Sequence, residues 1–287
     1  MKRKFHKFLY VLLILLFLCI FLFCGWHLLD YYREGYRTEE EYNHLSDLLH
    51  QAQPTEDPTT PTFDWSILDR LPMEQVVEMP ESPYVSVQHP ETGKIAHMLP
   101  EFQELYLINP DIVGWITIGD TNIDYPVMQK KDTQDYYLYR DFYGKQVSRG
   151  CLYAEEACDL FAPSDNVIIY GHMMKDGSMF ADLAKYTRKK FWQDHQFVEL
   201  KTLLTSHTYQ IVCVFKTTAT AGEGFAYHTF INAEYDSDWN DFWKNCRKNA
   251  FYDTGLDLYP GDKIITLSTC EYTLTNGRLV VVAKRIK

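Results

Sequence analysis

Three residues of this chain stand where strand-forming runs stop or start, and each is of a type that serves acyl transfer. Cys270 closes the run Ile264-Ile265-Thr266-Leu267-Ser268-Thr269. A thiol at a rigid strand end is a nucleophile held in place, provided a neighbouring cation stabilises its thiolate. His172 follows Val167-Ile168-Ile169-Tyr170-Gly171, and Gly171 permits an unusual backbone angle or a close approach just there. An imidazole in that place can protonate a leaving amine and later deprotonate an incoming one. Arg278 opens the run Leu279-Val280-Val281-Val282 after the turn residues Asn276-Gly277. Its guanidinium can face the oxyanion of a tetrahedral intermediate. Taken singly, each residue has an ordinary alternative: an incidental thiol, one histidine among ten, or an edge charge paired with an acid.

The elements that must carry these residues are mostly strands. Ile112–Ile118 and Ile123–Met128 read as a hairpin turning near Gly119-Asp120. Gly150–Ala154, Asn166–Tyr170, Phe197–Leu204, Tyr209–Thr217, Lys263–Thr269 and Arg278–Ala283 read as further strands. A short helix from Pro100, marked by Phe102, Leu105 and Tyr106, stops at Pro110. Two helices interrupt the sheet. One begins near Ser178 with Phe180, Leu183 and Ala184 on one face; the other starts at Asp236 or Ser237 and repeats Trp239, Phe242, Trp243, Cys246 and Ala250 at helical spacing. This order favours a compact β-barrel with peripheral helices over an alternating α/β fold.

Ahead of the strands the chain changes character. Phe8–Trp26 is uncharged and rich in Leu, Ile and Phe, long enough as a helix to cross roughly 30 Å of hydrocarbon. Lys2, Arg3, Lys4 and Lys7 precede it and favour a cytoplasmic N-terminus. Phe23-Cys24-Gly25-Trp26-His27 offers no small-x-small cleavage site, so the run reads as a retained anchor over residues 8–29 after a cytoplasmic tail of residues 1–7. Thr38-Glu39-Glu40-Glu41 resembles a fresh helix start, with Tyr42, Leu45, Leu48 and Leu49 carrying it to about His50. Gln51–Thr62, with Pro54, Pro58 and Pro61, reads as a stiff exposed spacer, and residues 63–98 give no clear periodicity. The catalytic part is expected over residues 99–287.

Charge and cysteine usage exclude several classes. Apart from the four N-terminal bases, 24 basic residues stand against 39 acidic ones, a balance of −15. An acidic body is unsuited to nucleic acid. Cys151, Cys158, Cys213, Cys246 and Cys270 lie beyond the apolar run; five is odd, so one thiol stays free or pairs with another chain. Neither C-x-x-C nor H-E-x-x-H occurs, so no metal and no dithiol redox pair is signalled. Cys213 and Cys246 read as small buried hydrophobes.

The combination resembles a family. Thr266-Leu267-Ser268-Thr269-Cys270 with Arg278 eight residues on resembles the sortase signature, and Ile169-Tyr170-Gly171-His172 looks like its strand-end histidine segment. Asn109-Pro110-Asp111-Ile112-Val113-Gly114-Trp115-Ile116, Asp124-Tyr125-Pro126-Val127, Gly177-Ser178-Met179-Phe180 and Leu267-Ser268-Thr269-Cys270-Glu271-Tyr272 are similar to class B sortases. The helix around Trp239–Ala250, placed before the cysteine strand, is similarly a class B feature. Met173-Met174 follows His172 where class B members commonly carry Asn, and Asp132-Thr133-Gln134-Asp135 lacks another Asn often found there.

The resemblance implies a closed sortase-type β-barrel, no metal or other cofactor, and a catalytic set of His172, Cys270 and Arg278. It implies a membrane-anchored cysteine transpeptidase with its catalytic domain extracellular. Cys270 would cleave a C-terminal sorting motif of an exported protein after Thr and form a thioester. An amine of a wall peptide or lipid-linked peptidoglycan precursor would then accept the protein. Tyr170, Ser268, Thr269, Glu271 and Tyr227 are the expected substrate contacts; ordinary packing or backbone satisfaction is the alternative for each. Pilin polymerisation through a lysine and a catalytically idle surface binding protein are the other functions weighed. The intact set disfavours the idle protein, and the lack of a recognisable lid before the barrel disfavours the polymerase.

Overall fold

The computed structural model describes residues 2–51, 86–88, 95–161, 163–220 and 222–287. Helix α1 runs Lys2–Gln51. Two compact units are present, Met1–His44 and Leu45–Lys287. Within the first, the apolar side chains from Tyr10 to Phe23 are exposed, and the helix is long and apolar enough to cross a membrane. The expected helix start at Thr38 is corrected: Thr38 lies inside α1, and its hydroxyl donates to the carbonyl of Glu34 at 2.8 Å. Threonine in mid-helix satisfies its hydroxyl on the preceding turn, so no break is needed there. Gln51, expected to open the Pro-rich spacer, ends α1; residues 52–62 of that spacer and most of residues 63–98 lie outside the described residues. Strands β1 (Ser86–Gln88) and β2 (Ile95–His97) pair antiparallel within that stretch.

In the second unit a 3-10 turn at Pro100–Phe102 leads into α2 (Gln103–Ile108), with Phe102 and Leu105 fully buried. The hairpin forms as expected from β3 (Ile112–Thr117) and β4 (Asp124–Met128). Asp120 takes the left-handed conformation (φ 57°) at the turn, and Thr121 Oγ1 donates to the carbonyl of Ile118. Asp124 gathers donors on β4: Trp115 Nε1 at 2.6 Å, Ser46 Oγ at 2.7 Å and Thr117 Oγ1 at 2.9 Å. His50 Nε2 stands 3.7 Å from the same carboxylate.

Strands β5 (Leu152–Ala154), β6 (Asn166–Tyr170), β7 (Phe197–Thr202), β8 (Ser206–Thr218), β9 (Ile264–Glu271) and β10 (Gly277–Arg285) complete the sheet. It closes into an eight-stranded barrel in the order β10-β8-β7-β3-β4-β5-β6-β9, with β9 returning to β10. The β4–β5 and β6–β9 pairs are parallel and the others antiparallel. Residues 264–269 of β9 are buried on both faces, which accounts for a run of apolar and small residues in place of strict alternation.

Two helical segments differ from the expectation. The segment expected from Ser178 is a 3-10 helix, Ala181–Thr187. Its three-residue period buries Phe180, Leu183 and Tyr186 along one stripe, and Ala184 falls off it. A further helix, α3 (Lys189–Asp194), buries Trp192, whose indole donates to the carbonyl of Ile211. The helix before the cysteine strand forms as α4 (Asp236–Asn249) and buries Trp239, Phe242 and Cys246, whereas Trp243 is half-buried and Ala250 lies past its end, bridged to Phe215. Asp238 at its start accepts the backbone N–H of Tyr235 at 3.0 Å, satisfying a donor that the helix itself leaves open. Cys213 and Cys246 are buried, and Cys213 donates to the carbonyl of Cys246.

Candidate active site

The sheet brings the three strand-end residues to one place. Strand β9 lies between β6 and β10. Arg278 is the direct cross-strand partner of Cys270 in the antiparallel β9–β10 ladder. Residues directly opposite in such a pair share a face, with Cβ atoms about 4.5–5.5 Å apart. On the other side, β6 runs parallel to β9 with Tyr170 level with Ser268, and the Gly171 N–H donates to the Ser268 carbonyl at 3.1 Å. Continuing that register by two residues brings the backbone of His172 level with Cys270. Gly171 is required by a close approach: a Cβ there would run into the Leu152 side chain and the Phe180 ring.

Each of the three side chains is half-buried. The other cysteines of the barrel, Cys151, Cys158, Cys213 and Cys246, are buried. Burial pushes the Cys158 thiol up to about 12, so it stays protonated and inert. Arg278 donates through Nη1 to the carbonyls of Gly277 at 3.0 Å and Asn276 at 3.4 Å. Among the described residues it forms no ion pair, so its charge is not neutralised by a carboxylate. His172 Nε2 stands 2.8 Å from the carbonyl oxygen of Leu138. A carbonyl only accepts, so Nε2 carries the proton and Nδ1 is left to exchange one. The ring of Tyr139 lies beside the imidazole, with centroids 5.3 Å apart.

A tyrosine cluster forms one flank. Tyr153 and Tyr170 pack with ring centroids 5.5 Å apart; Tyr170 donates to Glu155 at 3.1 Å and Tyr153 to Asp135 at 2.7 Å. Burial, then the bond to Asp135, pushes the Tyr153 hydroxyl well above its ordinary value, while the Arg278 guanidinium pulls the other way. Burial likewise raises Tyr227, against its bond to Ser268 and the Arg278 charge. These hydroxyls stay protonated; Tyr153 donates to Asp135, while either hydroxyl of the Tyr227–Ser268 pair can be the donor. Beside them Thr133, Gln134, Asp135, Tyr136, Tyr153 and Glu155 line a pocket.

The five expected substrate contacts separate into two groups. Tyr170 is half-buried beside the pocket, on the strand that leads to His172. Ser268 shares the face of Cys270, two residues back along the strand, but is buried with its hydroxyl 2.6 Å from that of Tyr227. Tyr227 is itself buried and held by its loop, where Phe225 N–H donates to Thr217 Oγ1. Phe230 stacks on Phe242 of α4 at 4.4 Å and fixes the far end of that loop. Thr269 and Glu271 alternate to the other face. The Thr269 hydroxyl is buried without a hydrogen-bond partner among the described residues. Glu271 receives Lys216 Nζ at 2.7 Å, Thr273 Oγ1 at 2.7 Å and the N–H groups of Thr273 and Leu274. That carboxylate shapes the β9–β10 turn and leaves little capacity for a ligand.

Sequence reasoning missed Leu138, Tyr139, Tyr153 and Glu155. The Leu138 contribution is a main-chain carbonyl, which no residue type announces. Tyr136-Tyr137-Leu138-Tyr139 forms a 3-10 turn entered through Asp135 in the left-handed conformation (φ 53°). An aspartate tolerates that backbone, and this was the one local signal available.

Residues 116–286 match the Sortase domain family. The chain is 37% identical over 190 residues to Sortase B of Listeria monocytogenes, spanning 65% of this chain and 74% of that one. A solved Staphylococcus aureus sortase B–substrate complex is similar with a TM-score of 0.67 and 26% identity, over 89% of this chain and 99% of the other. A sortase B complexed with triglycine is similar with a TM-score of 0.60 and 33% identity, over 66% of this chain and 86% of the other.

Proposed function

We infer that this chain, which belongs to the sortase family and to its class B branch, carries out transpeptidation through a thioester on Cys270. The observation that carries this reading is the pairing of Cys270 with Arg278 across the β9–β10 ladder, the guanidinium free of any carboxylate among the described residues. The Cys270 thiol passes its proton to the bare Nδ1 of His172 as its sulfur attacks the carbonyl carbon of a threonine in a C-terminal sorting motif. Arg278 faces the oxyanion that develops, preorganised by its main-chain hydrogen bonds. His172 gives the proton on Nδ1 to the departing amine as the C–N bond breaks, leaving the acyl group on sulfur. An incoming amine then attacks the thioester, returns a proton to His172 and restores the thiol.

Of the substrate contacts, Tyr170 fits best, since it borders the pocket and the histidine strand. Ser268 and Tyr227 support the floor of the site through their mutual hydrogen bond, Thr269 packs on the opposite face of the cysteine strand, and Glu271 fixes its turn.

The apolar stretch of α1 serves as a single membrane anchor, with the N-terminal bases cytoplasmic and the barrel outside. A substrate held by its own anchor and a lipid-linked wall precursor then diffuse in the same plane, which raises their effective concentration. A related sortase B is described in complex with triglycine, so an oligoglycine amine is the first acceptor to try.

The test uses the full chain in detergent with a series of threonine-containing motif peptides and triglycine, and follows products by mass spectrometry. The expected product is an amide between the peptide's threonine and triglycine. A folded chain that gives neither hydrolysis nor amide with any peptide of the series contradicts the reading.

A further inference from the structure

His172 is gripped from two sides, and both grips lead to the same dipeptide, Arg149-Gly150. On one side, the carbonyl of Leu138 receives the Nε2 proton at 2.8 Å. That carbonyl is seated against Gly150, which is left-handed (φ 56°) and so close that a Cβ would overlap Leu138 O and press on Tyr137 O. Flanking hydrogen bonds fix the same turn: Cys151 N–H to Tyr137 O and Val147 N–H to Tyr139 O, each 3.0 Å.

On the other side, the chain leaving His172 makes a tight loop over residues 173–179. Met173 bridges Met179, and the Phe180 N–H returns to the His172 carbonyl at 2.9 Å. Arg149 reaches into this loop. Its side chain is 2% exposed; Nη2 meets Asp176 Oδ2 at 2.9 Å, Nη1 meets Ser178 Oγ at 3.2 Å, and Nε has no partner among the described residues. Asp176 also accepts the Ser178 hydroxyl and N–H. A buried guanidinium left one bond short is costly to keep. The cost is met at the loop that follows the proton-transfer residue.

We propose that Arg149-Gly150 is a positioning element for His172, holding the imidazole with Nε2 protonated so that Nδ1 faces the reaction. This rests on the role of His172 given above. Arg149 touches no reacting atom; it acts through the 173–179 loop, and Gly150 acts through the Leu138 carbonyl. A lysine cannot replace Arg149, because one ammonium cannot bridge Asp176 and Ser178 in the same planar geometry.

The test compares the full chain with Asp176→Asn, Ser178→Ala and Gly150→Ala. Asp176 and Ser178 lie at the surface end of the clamp, so their variants keep the barrel even if Arg149 variants do not fold. Two readouts are taken: kcat and KM for a motif peptide with triglycine, and the 15N NMR pattern of the His172 ring, assigned by difference from His172→Gln. The wild-type ring should show the Nε2–H form. Asp176→Asn and Gly150→Ala should mix the two tautomers and lower kcat by about 10- to 100-fold with KM within twofold, the loss expected for a misplaced group. Folded Asp176→Asn and Gly150→Ala chains that keep wild-type kcat and the Nε2–H pattern would overturn the proposal. The NMR pattern is read without turnover. A wild-type chain without activity therefore counts against the proposed function, and an unchanged ring pattern counts against the positioning element.

Discussion

Arg278 and Cys270 face each other as direct partners across the β9–β10 ladder. The guanidinium is braced by the carbonyls of Gly277 and Asn276, and among the described residues no acid pairs with it. A braced cation opposite the proposed nucleophile is suited to an oxyanion. Arg278→Ala should therefore lower kcat by about 10²–10³-fold, as loss of an oxyanion donor does. Arg278→Lys should recover only a small part, since a point charge does not reproduce the fork. Steady-state kinetics with a motif peptide checks both.

The buried bond between the Tyr227 and Ser268 hydroxyls, 2.6 Å long, ties the loop before α4 to the cysteine strand. Tyr227→Phe leaves Ser268 unpaired in a dry place and should cost about 1–3 kcal/mol. Thermal unfolding should show a lower Tm. The double variant Tyr227→Phe/Ser268→Ala, which removes both partners, should recover much of the loss.

Acid should weaken the barrel through carboxylates held below their ordinary range. Burial alone would raise Asp124, but bonds from Ser46, Trp115 and Thr117 and the nearby His50 outweigh it and lower it. Glu271 is lowered in the same sense: burial opposes, and Lys216 and Thr273 prevail. A depressed folded value gives stability that is complete above the unfolded value, about 4. That stability is lost as pH falls through the folded value. Tm should hold from pH 7 to about 5 and drop below about 4. Asp124→Asn should lower Tm at pH 7 and flatten the acid limb.

Gly171 joins the β6 strand to His172, and any Cβ there meets the Leu152 side chain and the Phe180 ring. Gly171→Ala should cost about 1–3 kcal/mol through overpacking. It should also reduce turnover more than peptide affinity, because the displaced group carries the proton. Chemical denaturation and a kcat-against-KM comparison separate the two effects.

If α1 anchors the chain, the full-length protein should fractionate with membranes and resist extraction by salt or alkali. Deletion of residues 2–29 should release the barrel to the soluble fraction. Full-length protein found soluble without detergent contradicts the anchor.

Much of this was legible in the sequence, for physical reasons. Asn166–Tyr170 is a short apolar run with a glycine behind it, and strand β6 has those bounds. The hairpin at Asp120 and the face of α4 were likewise readable from turn chemistry and a clean helical period. The helix start at Thr38 was misread because capping residues also occur inside helices, where the hydroxyl bonds backward. Ala184 was placed on the buried stripe where Tyr186 belongs, because a 3-10 stripe and an α stripe begin alike and diverge only after one turn. At the site, Cys270, His172 and Arg278 were visible as chemical types at strand ends. The Leu138 carbonyl and the Arg149 clamp were not. One is backbone, and the other depends on which loops the barrel closure brings together.

The central claim is that acyl transfer passes through the sulfur of Cys270. Intact-protein mass spectrometry of the full chain, quenched in acid shortly after mixing with a motif peptide and no amine, tests it most directly. The expected result is a mass increase equal to the peptide fragment ending in threonine less one water. That adduct should map to Cys270, be discharged by triglycine or hydroxylamine, and be absent in Cys270→Ala. Amide product formed by Cys270→Ala at the wild-type rate, or an adduct mapped to another residue, would contradict it.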